Sequence, residues 1–161
     1  MIEVQVSDAM LIRARGRARK LPKLKNSIRQ QKGKLVGLIG EEIVKKHFKI
    51  PVAQDEAGYE YDLIHPEKGR LEVKTKERSV VPKPNYECSV AKYNAKQDCD
   101  LYVFVSVLND FSKGWVCGWT TPKKLKRKAK SFKKGDKDPS NNFTFRADCL
   151  NIKISDLDCD L

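Results

Sequence analysis

Tyr59-Glu60-Tyr61-Asp62-Leu63-Ile64-His65-Pro66-Glu67-Lys68-Gly69-Arg70-Leu71-Glu72-Val73-Lys74-Thr75-Lys76 is the segment around which the rest of the chain can be placed. It has the pattern of two short strands joined by a turn. Asp62 belongs to the first strand and Glu72 and Lys74 to the second, with one apolar residue between them. Strand residues two apart share a face, so Glu72 and Lys74 point the same way at about 7 Å between Cα atoms, and Val73 turns towards a core. Asp62 is the carboxylate inside the first apolar run, because Glu60 stands at its entrance. A hairpin brings Asp62 beside Glu72 and puts two hard oxygen donors and an ammonium on one surface.

That trio suits a divalent ion. Two carboxylates and a backbone carbonyl match the oxygen preference of Mg²⁺, which keeps several waters of its own. Such an ion activates water and stabilises charge on a phosphate oxygen, and a neighbouring lysine offsets transition-state charge. An Asp followed by Glu-X-Lys on a strand, here Asp62 and then Glu72-Val73-Lys74, resembles the core of the PD-(D/E)XK nuclease superfamily. Tyr61 stands where the motif name has proline, a position that carries no chemistry. Upstream, Gly37-Leu38-Ile39-Gly40-Glu41 is similar to the glycine-rich, Glu-bearing helix that opens many members. The order helix-Glu, strand-Asp, strand-Glu-X-Lys is that of the family.

The resemblance implies a restriction endonuclease-like α/β fold, a mixed central sheet flanked by helices. It implies that Asp62, Glu72 and the Val73 carbonyl bind Mg²⁺, with Mn²⁺ able to substitute. Lys74 would orient the attacking water, and Glu41 would complete the site through water or on a second metal. Small phage or prokaryotic nucleases and Holliday junction resolvase-like members are the relatives of this build.

Charge points to the same class of partner. The 161 residues carry a formal net charge of +12, with 33 Lys and Arg against 21 Asp and Glu, which favours a polyanion. One block holds Arg13, Arg15, Arg17, Arg19, Lys20, Lys23, Lys25 and Arg29, and no acid lies between Asp8 and Glu41. A second holds Lys123, Lys124, Lys126, Arg127, Lys128, Lys130, Lys133, Lys134 and Lys137, opposed by Asp136. Neither has the broad apolar face of a membrane-surface helix, so DNA phosphates are the expected contact, with Lys76 beside the site adding to them. No membrane and no organic cofactor are expected. Five irregularly spaced cysteines form no CxxC pair, as in a protein of the reducing cytoplasm.

Along the chain, residues 1 to 25 are expected to be a basic arm, mobile until it meets a partner, and residues 26 to 161 a single domain. Residues 2 to 6 alternate as a short strand or an extended lead-in. Ser7 or Asp8 can cap a helix with Met10, Leu11 and Ala14 on one side. Asn26 or Ser27 opens a longer helix to about Phe48, with Leu35, Val36, Ile39 and Ile43 turned to a sheet. Gly37 and Gly40 each cost that helix about 1 kcal/mol, which close approach to a strand would offset. Glu41 lies on the buried stripe and Glu42 nearer solvent. A short helix is expected around Ala91 to Gln97, with Lys92, Lys96 and Gln97 placed at the surface in preference to facing the site or a phosphate. Leu101 to Leu108 is a continuous apolar run, as of a strand buried on both faces. Gly114 to Thr120 is its hairpin partner, with Trp115, Cys117 and Trp119 on one face and packed in a core. Thr121 caps a basic helix to about Phe132, Phe143 to Ala147 alternates as a strand, and Leu150 to Ile154 is a further short strand or turn. His47 and His65 are read as non-ligands.

Two functions compete. In one, the chain is a metal-dependent deoxyribonuclease, structure-directed or weakly specific because no separate recognition domain is present. Paired cuts in a junction would then need a homodimer. In the other, it is a non-catalytic basic nucleic-acid-binding protein. The acids separate the two, since carboxylates converging in a basic surface repel phosphate and serve a pure binder in no way.

Overall fold

The computed structural model describes residues 1–21, 30–52, 61–92, 97–139 and 142–159. The chain runs β1 (Ile2–Gln5), α1 (Asp8–Lys20), α2 (Gln30–Phe48), β2 (Leu63–His65), β3 (Gly69–Arg78), β4 (Glu87–Ala91) and β5 (Leu101–Leu108). It continues with β6 (Lys113–Thr120), α3 (Pro122–Lys128), β7 (Lys130–Phe132), β8 (Cys149–Lys153) and a 3₁₀ turn (Ile154–Asp156). The architecture is mixed α/β. A five-stranded sheet has the order β1-β6-β5-β3-β2, and a three-stranded sheet the order β4-β8-β7. Among the described strands, β3 and β5 pair in parallel and the other pairs are antiparallel.

Two cores explain the apolar run of β5. Val103, Val105 and Val107 pack with Leu38, Ile39, Ile43 and Val44 of α2 and with Met10 and Ala14 of α1. Tyr102 and Phe104, on the opposite face, pack with Cys88 and Val90 of β4, Leu125 of α3 and Ile152 of β8. The strand is thus covered by helices on one side and by the small sheet on the other. Arg78 fastens the two sheets together. Its guanidinium donates to Ser106 Oγ at 2.9 Å and to the Glu87 carbonyl at 3.1 Å, and lies over the Tyr86 ring.

The expected mobile arm is built into the fold. β1 pairs with β6, Ile2 opposite Val116 and Gln5 opposite Lys113. Ser7 caps α1 by accepting the Met10 N–H. Met10 and Ala14 are buried against α2, which anchors the segment by burial of apolar surface. Pro22, Lys23, Lys25, Asn26, Ser27 and Arg29 lie outside the described residues.

Four further expectations change. Glu42 is 1% exposed and so lies deeper than Glu41, because α1 covers the helix flank assigned to solvent. Trp119 joins the helix-side core while Trp115 and Cys117 join the other. The cause is a bulge at Cys117–Gly118, where Phe104 pairs with Gly118 but Val105 with Val116, with Gly118 at φ +140°. One extra residue reverses the parity of everything beyond it. The basic helix α3 ends at Lys128, and Lys130–Phe132 is a strand. Phe143 to Ala147 forms no strand, only a bridge between Thr144 and Lys137. Phe145 instead stacks on Phe132 at 4.2 Å between ring centroids.

Candidate active site

The β2–β3 hairpin is held by its turn. His65 Nδ1 accepts the backbone N–H groups of Glu67 and Lys68 at 3.1 and 3.2 Å. Gly69 sits at φ +75°, where a Cβ would meet Asp100 Oδ2 at 2.3 Å, so glycine is required twice over. Asp100 accepts the Arg70 N–H at 2.7 Å and pairs with its guanidinium. The hairpin is therefore locked to the start of β5.

Asp62 stands immediately before β2 and not inside it, yet it keeps the ladder going. Its N–H donates to the Leu71 carbonyl at 3.0 Å. Its carboxylate Oδ2 accepts the Val73 N–H at 2.8 Å, a donor that β2 is too short to reach. The sheet edge is thus closed by the side chain that the motif requires. Tyr59 and Glu60 lie outside the described residues.

Glu72 and Lys74 share the face of β3 opposite α2, as their spacing predicts. Glu72 is 3% exposed. Lys74 Nζ donates to Glu72 Oε1 at 2.5 Å and to Gln97 Oε1 at 3.0 Å. An ammonium has three protons, and the described acceptors take two of them. Gln97 takes the site-facing alternative and not the preferred surface position. It is partly buried and steadies the lysine. Ala91, the expected start of a short helix, instead ends β4. Residues 93–96 lie outside the described residues.

Gly40 fits the expected close approach. A Cβ there would fall 1.8 Å from Thr75 Oγ1, so α2 lies directly on β3. A methyl group at Gly37 would meet nothing within 4 Å among the described residues, and packing gives no reason for that glycine. The contact at Gly40 carries the next residue, Glu41, to the site. Glu41 Oε2 receives the Arg17 guanidinium at 2.6 Å. Beside it, Glu42 Oε2 receives Arg13 at 2.6 Å, and Lys45 Nζ stands 3.7 Å from Oε1.

Asp62 acts on both of the other carboxyl groups. Burial raises Glu72 to about 7, with the charge on Asp62 contributing, and Lys74 and Gln97 oppose this. Burial likewise raises Glu41 to about 7, helped by Asp62 and opposed by Arg17 and Lys45. Asp62 is raised by burial against the pull of the Val73 N–H, Lys74, Arg17 and a hydrogen bond with Glu72. Raised carboxyls on either side of Asp62 make this a candidate functional site.

Glu72 Oε2 is buried and receives no hydrogen bond from a described donor. A buried carboxylate oxygen left this way is costly, and an oxygen-seeking cation is the partner that fits it. Among the described residues no three His, Cys, Asp or Glu side chains are grouped to hold an ion by themselves. The set at hand is two carboxylates, Asp62 and Glu72, and the Val73 carbonyl, with water to complete the shell as Mg²⁺ prefers.

The basic residues divide. Arg13 and Arg17, expected on phosphate, are spent on Glu42 and Glu41, and Lys124 pairs with Asp158. Arg15, Arg19, Lys20, Lys76, Lys123, Arg127 and Lys128 are exposed. Sequence reasoning misses Arg17 as a partner of Glu41, although a signal exists. Met10, Arg13, Ala14 and Arg17 fall on one helical stripe, and the adjacent acids Glu41-Glu42 on a buried helix call for two cations.

No family model, curated protein or solved structure matches the chain. No helix among the described residues is long and apolar enough to cross a membrane.

Proposed function

We propose that this chain is a metal-dependent nuclease that hydrolyses DNA phosphodiester bonds, with structure-directed or weakly sequence-specific cutting. The observation that carries this is the convergence of Asp62, Glu72 and Lys74 at one edge of β3, with a buried Glu72 oxygen that no described donor reaches. The mixed sheet, with Glu41 supplied from a covering helix, supports a restriction endonuclease-like fold.

Asp62, Glu72 and the Val73 carbonyl would hold Mg²⁺, or Mn²⁺ in its place. The bound ion would supply Lewis acidity at the scissile phosphate and lower the pKa of a water. The remaining work belongs to the chain. Lys74, fixed between Glu72 and Gln97, directs its third proton at the attacking water or a non-bridging phosphate oxygen. Asp62, anchored by the Val73 N–H, holds its other oxygen in place at low reorganisation cost. Exposed Lys76, Lys123, Arg127 and Lys128 meet the backbone of the DNA and set its salt dependence.

The test is cleavage of labelled linear duplex, closed circle, four-way junction, flap and single strand, with Mg²⁺, Mn²⁺ or EDTA. Metal-dependent cutting supports the proposal, and the preferred substrate names its subclass. Tight binding to every substrate with no cutting in any metal would favour the non-catalytic binder.

A further inference from the structure

Arg17 poses a question that the nuclease proposal leaves open. It comes from α1, a helix whose basic residues read as phosphate contacts, but its guanidinium turns inward to Glu41 at 2.6 Å. The two side chains are only 20% and 11% exposed. Its charge reaches beyond Glu41 and draws Asp62 down as well. α1 cannot easily withdraw it, because Met10 and Ala14 on the same stripe are sealed in the core and Arg13 is tied to Glu42.

Among the described residues, five groups are paired directly at the site. Glu41, Asp62 and Glu72 bring three negative charges when ionised, and Arg17 and Lys74 bring two positive ones, while Lys45, which also acts on Glu41, stands with Arg13 against Glu42. One negative charge remains on those five groups. A single divalent ion reverses it to one positive, which the scissile phosphodiester neutralises. A second divalent ion would leave the loaded site with two uncompensated positive charges, and would have to displace a guanidinium already seated on Glu41. Burial makes both costs steeper than they would be in water.

We infer that Arg17 is the resident cation of Glu41, standing where a second metal would sit, so that the site binds one divalent ion on Asp62 and Glu72 and Glu41 is not a ligand. This rests on the nuclease proposal for the position of the first ion. Arg17 is then a positioning residue. It keeps Glu41 in place as a fixed charge beside Asp62 and limits the site to one ion.

The experiment is a count of bound Mn²⁺ by titration calorimetry and by electron paramagnetic resonance of free Mn²⁺, on the full chain without DNA. Wild type is expected to bind one ion. Glu41→Gln should also bind one, more weakly because Arg17 is left uncompensated beside it. Arg17→Gln should gain a second, weaker ion, and Arg17→Gln combined with Glu41→Gln, which restores the wild-type charge, should return to one with Kd within about three-fold of wild type. Two ions in wild type, no bound ion in Glu41→Gln, or a single ion in a folded Arg17→Gln would each overturn the inference. Should Arg17→Gln fail to fold, Glu41→Gln decides alone, by keeping or losing the ion. Wild type that binds no Mn²⁺ would overturn the nuclease proposal itself, a result distinct from a count of two.

Discussion

Glu72→Gln should stabilise the metal-free protein while removing its response to metal. Glu72 is almost wholly buried and its carboxyl is raised from 4.5 to about 7, by burial first and by Asp62 second. A group whose folded pKa is raised in this way holds its proton more tightly when folded. Its charged form therefore opposes folding. The cost is absent below about pH 4.5, grows as pH rises towards 7 and is constant above that. At about 1.4 kcal/mol per pH unit the plateau is about 3–4 kcal/mol. Glutamine is nearly isosteric with the protonated acid and can still accept from Lys74, so the substitution recovers most of this cost. Urea unfolding in EDTA at pH 8 should show the variant about 2–3 kcal/mol more stable than wild type, with the difference gone at pH 4.5. Mg²⁺ at a hundred times its Kd should add about 2.7 kcal/mol to wild type and almost nothing to the variant. A variant less stable than wild type at pH 8 in EDTA, or one that gains as much from Mg²⁺, would overturn this reading of Glu72.

Other substitutions probe the elements that build the site. Gly40→Ala forces a methyl group against Thr75 and should cost roughly 1–3 kcal/mol by overpacking, although alanine favours the helix. Urea unfolding that matches wild type would show that α2 does not lie directly on β3. Arg13→Ala leaves Glu42 buried with Lys45 as its remaining cation, and a loss of roughly 2–3 kcal/mol is expected at pH 7. Unchanged stability would mean that Glu42 is otherwise satisfied. Arg127→Gln and Lys128→Gln should each lower the salt dependence of DNA binding by about one contact, whereas Arg13→Gln should leave the slope alone. Equal slopes in all three proteins would move the DNA to another face.

Much of the site was legible because it depends on period-two geometry over a few residues. Glu72 and Lys74 on one face, Val73 on the other and Asp62 beside them follow from the hairpin alone. The glycine at position 40 announced a close contact, and Thr75 is that contact. What escaped a reading of the sequence depends on long-range packing. Nothing local says that β1 pairs with β6, far along the chain, so the amino-terminal segment reads as a free arm. Once α1 docks, Arg13 and Arg17 cease to be surface charges and become counter-ions. The small sheet escaped for the same reason, since β4, β7 and β8 are short and β8 joins them from afar. The bulge at Gly118 defeated a correct alternation by inserting a single residue. Phe143 and Phe145 alternate like a strand, but their rings pack on one another and on Phe132 without a ladder to join.

The nuclease assignment is tested most directly by the cleavage rate of Lys74→Ala at saturating protein with the best substrate of the panel, in Mg²⁺ and in EDTA, with DNA affinity measured alongside. Lys74 is held by Glu72 and Gln97 and serves no other described partner, so its loss should leave the protein folded, though less stable because Glu72 is buried without its cation, and should spare DNA binding. Wild type should cut only with Mg²⁺, and the variant should fall at least about a hundred-fold in rate while its DNA affinity stays within about three-fold. Cutting by the variant at the wild-type rate would contradict the role given to Lys74, and wild-type cutting that persists in EDTA would contradict the metal.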